Sequence, residues 1–91
     1  MADLVNRTDK ADGDSLFAWA QKAQLAHARK IHPAPLASAH EAWAVIAEEL
    51  EEFWEEVRKK KEARDPAKMR IELLHVAAMA QRTAEDLGLV G

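Results

Sequence analysis

The chain has 91 residues, with 13 basic and 16 acidic side chains, a net charge of −3 and no cysteine. Disulfides and thiolate metal sites are therefore excluded, and the mildly acidic balance argues against direct nucleic-acid binding. No stretch reaches the roughly 18 apolar residues of a membrane span and no signal-peptide core opens the chain, so a cytoplasmic location without a membrane partner is expected.

Scarce Gly and Pro, with abundant Ala, Leu, Glu, Lys and Arg, is helical composition. Residues 1–14 are polar, aperiodic and contain Asp-Gly, which reads as a flexible arm before a single helical domain over 15–91. Helix one is expected from Asp14 or Ser15 to about Lys30, with Leu16, Phe17, Ala20, Ala23 and Ala28 as its apolar positions and Leu25 on a neighbouring strip. Pro33 and Pro35 end it. Helix two opens on Ser38-Ala-His-Glu41, a capping-box pattern, and is expected to reach about Lys61, with Lys59, Lys60 and Lys61 at the negative end of its dipole. Asp65-Pro66 reads as the cap and first residue of helix three, which should run to about Asp86 and stop at Gly88.

At about 100° per residue, Trp43, Ile46, Leu50, Trp54 and Val57 share a stripe of helix two, flanked by Ala47 and Phe53. This is expected to be core, which leaves Trp43 and Trp54 as packing residues rather than base-stacking platforms. On helix three the expected core stripe is Met69, Leu73, Val76, Ala77, Ala80, Ala84 and Leu87, with Ile71, Leu74 and Ala78 on the opposite side. A helix apolar on two sides implies a subunit interface, because three helices in one chain can hardly cover it. Arg82 falls roughly opposite the core stripe. His27, His32 and His40 read as surface or capping residues.

The segment "EELEEFWEEV", residues 48–57, holds six glutamates in ten residues. Like charges at three- and four-residue spacing repel, so the glutamates need not be equivalent. Glu48, Glu51 and Glu55 fall on the solvated side. Glu49, Glu52 and Glu56 fall on the flank beside Phe53. Glu72, His75, Met79 and Asp86 share the corresponding flank of helix three. Helices two and three have a short connection and should be antiparallel neighbours, so the i,i+3 pairs Glu49/Glu52 and Glu72/His75 can converge. Such a ligand set suits Mg²⁺ or Mn²⁺, and burying carboxylates without a cation is costly. Asp86 lies about 20 Å along the helix from Glu72, too far to share an ion.

The pattern of Glu49-Leu-Glu-Glu52, then "RDPAKMR", then Glu72-Leu-Leu-His75 resembles the MazG-like all-α NTP pyrophosphohydrolases. "HEAWAVIAEELEEFWEEV" followed by "ELLHVAAMAQRTAEDLG" looks most like small phage and actinobacterial members. The resemblance covers about residues 37–89. It implies a helical-hairpin subunit in a four-helix-bundle homodimer or homotetramer. It further implies Mg²⁺, with Mn²⁺ as a substitute, held by Glu49, Glu52, Glu72 and His75, with Glu49 and Glu52 catalytic. The substrate implied is a nucleoside triphosphate, cleaved to the monophosphate and pyrophosphate. Its base pocket is expected from the bundle core and a neighbouring subunit, and Lys68 and Arg70 are candidates to reach the phosphates. His75 stands where the family pattern has aspartate; this removes a negative charge and shifts preference towards transition metals. Two alternatives stay open. A Glu-x-x-His helix with a glutamate from another helix also fits a ferritin-like carboxylate protein that binds or oxidises iron. A non-catalytic interaction module could keep the same fold.

Overall fold

The computed structural model describes the backbone of residues 2–91 and the side chains of residues 16–91. The expected arm over residues 1–14 lies outside the side chains so described. The chain is all-α. Helices α1 (Ala2–Ile31), α2 (Ala39–Val57) and α3 (Pro66–Asp86) follow in order, with one 3₁₀ turn at Lys61–Ala63 and no strand among the described residues. None of these helices is long and apolar enough to cross a membrane.

The helix starts follow the local chemistry. Ser38 caps α2 by accepting from the Glu41 amide at 3.1 Å. Asp65 caps α3 by accepting from the Ala67 and Lys68 amides, with Pro66 in the first turn. These bonds occupy amides that have no partner inside the helix. At the far end of α3, Gly88 adopts φ +69°, the left-handed conformation that favours glycine.

The end of α2 departs from expectation. The helix stops at Val57 rather than near Lys61, and no basic residue lies in its last turn. Two side chains turn the chain back. Arg64 donates from Nε to the carbonyls of Val57 (2.8 Å) and Lys59 (3.2 Å). Glu56, only 1% exposed, accepts from the Asp65 amide at 2.8 Å and pairs with Lys59 at 3.0 Å. Glu56 thus fastens the end of α2 to the start of α3 instead of lining a cation site.

Helix α3 is central and packs against both α1 and α2. Leu25, Ala78 and Met79 form the buried core, with Ala28, Val45 and Ile46 packed against it. Ala28 and Ile46 of the expected stripes do pack on this core, but the expected phase is corrected in part on each helix. On α1, Leu25 is buried, whereas Leu16 and Phe17 are exposed. On α3, the buried residues are Glu72, Leu74, Ala78, Met79 and Arg82, while Leu73 and Ala80 of the expected stripe are exposed. On α2, Trp43 is 72% exposed, Trp54 52% and Leu50 53%. The cause is the polar strip of α3. Arg82 and Asp86 turn inward because each meets partners there, and Glu72 and His75 lie on the same face, so apolar positions are displaced outward.

Arg82, 4% exposed, is the anchor of that strip. Its guanidinium donates to the carbonyls of His32 and Ala34 and pairs with Asp86 at 3.3 Å. Asp86 also accepts from the Leu36 amide at 2.9 Å and pairs with Arg29 at 2.9 Å. The planar fork of arginine can reach several acceptors at once, so the proline-containing linker is held on the end of α3. Arg82 therefore does not lie opposite the core.

Candidate metal centre

Four side chains from α2 and α3 converge. Glu49, Glu52, Glu72 and His75 each offer one ligand atom, and these atoms lie within 4.8 Å of one another. Contacts of Glu49 with His75 and of Glu56 with Asp65 run in opposite senses along the two helices, as antiparallel packing requires. At i,i+3 spacing, two side chains of one helix share a face, and each helix therefore contributes a pair.

The electrostatics of the cluster are strained. His75 Nδ1 lies 3.3 Å from Glu49 Oε2 and 3.7 Å from Glu72 Oε2. Glu72 is 8% exposed, Glu49 half-buried, and Glu52 the exposed member. Glu49 Oε2 and Glu72 Oε2 are buried and accept no hydrogen bond. Burial, then the charge of Glu52, raises the Glu49 carboxyl above its ordinary range. Burial, then the hydrogen bond and charge of Glu52, raises that of Glu72. Carboxylates crowded out of water resist ionisation together. A cation among them would remove both the repulsion and the missing partners. The oxygen-rich set with one imidazole fits Mg²⁺ or Mn²⁺, and it also admits iron.

The two weaker candidates are placed differently. Lys68 lies 3.9 Å from Glu56, and its charge acts on Glu72, so it borders the cluster. Arg70 is exposed. Asp86 belongs to the Arg82 network rather than to the cluster.

A cleft of about 720 Å³ opens beside the cluster. Its walls come from the C-terminal half of α1, the 32–36 linker, and the α2 and α3 faces, and Glu49 and His75 lie in its lining. Sequence reasoning placed His27 and His32 at the surface and did not find this cleft. Gln24, His27 and Ile31 recur at helical spacing, but no local pattern reveals how the linker folds over them.

Compared with protein-family models, curated proteins and solved structures, the chain matches none of them.

Proposed function

We propose that the chain is a metal-dependent nucleoside triphosphate pyrophosphohydrolase of the MazG-like kind, acting as a homo-oligomer of helical-hairpin subunits. The observation that carries the reading is the pair of buried oxygens, Glu49 Oε2 and Glu72 Oε2, that accept no hydrogen bond inside a four-residue cluster. Leaving buried acceptors unpaired costs about 1–3 kcal/mol each, more for charged groups. Natural folds retain such a cost at functional sites. The motif spacing and surrounding sequence supply the family part of the reading.

In the reaction, water adds to a phosphorus of the triphosphate and pyrophosphate leaves, giving the nucleoside monophosphate. Glu49, Glu72 and His75 would hold Mg²⁺ or Mn²⁺. The ion supplies neutralisation of phosphate charge and a more acidic water. Glu52, the exposed member, would accept the proton of the attacking water. Lys68, which lies 3.9 Å from Glu56, would draw a phosphate oxygen towards the cluster.

The test is pyrophosphate release from a panel of NTPs and dNTPs with Mg²⁺ and with Mn²⁺, alongside calorimetric titration of each metal. Glu49→Gln with Glu72→Gln should abolish both metal binding and release. His75→Asp adds a carboxylate and should preserve or raise Mg²⁺-dependent release. Unchanged metal binding in the double variant would place the ion elsewhere. Absence of hydrolysis in both wild type and His75→Asp would refute the enzyme. Tight iron binding with oxidation in air would favour the ferritin-like alternative, which the Glu72-x-x-His75 pair facing Glu49 also accommodates.

A further inference from the structure

We infer that the cleft between α1, the 32–36 linker and α2 holds the base and sugar of the nucleotide within a single subunit, and that Gln24, His27 and His32 read it. This deepens the pyrophosphohydrolase reading and rests on it.

Position supports the assignment first. The cleft shares Glu49 and His75 with the four-residue cluster, so a ligand whose phosphates reach the cluster has its other end in the cleft. Its volume of about 720 Å³ lies inside the roughly 300–1,000 Å³ range of small-molecule sites.

Charge decides the orientation. Glu41, Glu48 and Glu49 border the cleft. The arginine in its wall, Arg82, spends its guanidinium on the His32 and Ala34 carbonyls and on Asp86. A bare polyphosphate is therefore disfavoured in the cleft. An uncharged planar group bearing hydrogen-bond donors and acceptors is not. The apolar lining, from Ile31, Leu36, Val45 and Met79, suits the faces of such a group. Gln24 and His27 recur one helical turn apart on α1, and His32 follows at its end, so amide and imidazole groups stand where a base edge would lie. The latch between Arg82 and the linker fixes this wall without help from a second chain.

The chain's four histidines make a direct test. His27 and His32 line the cleft, His75 belongs to both cleft and cluster, and His40 belongs to neither. Histidine-ring NMR signals are followed while the common ribo- and deoxyribonucleoside monophosphates are titrated into metal-free protein, and separately while Mg²⁺ is titrated. The expected result is that at least one nucleotide shifts His27 and His32 but leaves His40 in place, and that Mg²⁺ shifts His75. Gln24→Ala with His27→Ala should weaken that nucleotide at least tenfold. The same variant should raise KM for its triphosphate with little change in kcat and none in Mg²⁺ affinity. Both side chains stand outside the buried core, and unchanged thermal unfolding checks that the variant folds. Nucleotides that leave both cleft histidines unmoved, or a double variant with unaltered affinity, would overturn the inference even if hydrolysis is observed. An unmoved His75 with no hydrolysis would instead defeat the pyrophosphohydrolase reading, whatever His27 and His32 do.

Discussion

Glu72 carries opposite consequences for folding and for metal binding. Its carboxyl is raised above the ordinary range, first by burial. The folded chain therefore prefers the proton, and stability is lost as pH rises from the unfolded value through the folded one. Glu72→Gln should raise the Tm of the metal-free protein, by roughly 4–8 °C if the gain is about 1 kcal/mol. Under the proposed metal site Mn²⁺ should raise the Tm of wild type, and the same substitution should erase that rise. Scanning calorimetry with and without chelator reads both effects. Asp86 behaves in the other sense. Its carboxyl is held below the ordinary range, first by the Leu36 amide, with the hydrogen bonds of Arg29 and Arg82 also lowering it. That contribution is complete above the unfolded value of 3.8 and disappears as pH falls through the depressed folded value. Asp86→Asn should therefore lower stability at neutral pH and flatten the loss below about pH 4 in urea titrations. Arg82→Ala leaves the His32 and Ala34 carbonyls without this donor, while Asp86 keeps the Leu36 amide and Arg29, and should cost about 1–3 kcal/mol. Arg82→Lys should recover little of this, because an ammonium cannot span the same acceptors.

At the level of elements, sequence legibility divides sharply. Ser38 and Asp65 mark their helix starts because a cap needs only neighbours within a few residues. The pairs Glu49/Glu52 and Glu72/His75 were legible for a similar reason, since spacing alone puts each on one face. The rotation of α3 was not. Helical periodicity ranks positions by hydrophobicity, whereas Arg82 and Asp86 are buried by partners on α1 and the linker, some 50 residues away in sequence. The early end of α2 was hidden because a side-chain-to-backbone bond across the turn, from the Asp65 amide to Glu56, leaves no hydrophobic period to read. Glu56→Ala should loosen this junction more than Glu56→Gln, whose amide oxygen still accepts from Asp65. Hydrogen exchange should show the difference at the Asp65 and Ala67 amides, with the rest of α3 little changed.

At the scale of the whole molecule, several large apolar side chains among the described residues remain exposed. Trp43, Leu50 and Trp54 stand out from α2, and Ile71 and Leu73 from α3. Exposed apolar patches of this kind mark interaction surfaces, and a second copy is the occupant under the proposed oligomer. Trp43→Lys with Trp54→Lys should convert an assembled wild type to monomer in light scattering at micromolar concentration. A monomeric wild type would remove the oligomer from the proposal. The intrachain cleft predicts that the monomeric variant still shifts His27 and His32 on adding nucleotide.

The central placement of α3 has a consequence for descent. Helices α1 and α2 are joined through α3 far more than to each other. Mutations in residues 24–32 can alter what is recognised without disturbing Glu49, Glu52, Glu72 and His75, which belong to the other two helices. Under the proposed function, recognition and chemistry would then be separately heritable. If the proposed function holds, a lineage could exchange one nucleotide for another by drift along a single helix, while the four cluster residues pass unchanged from parent to descendant.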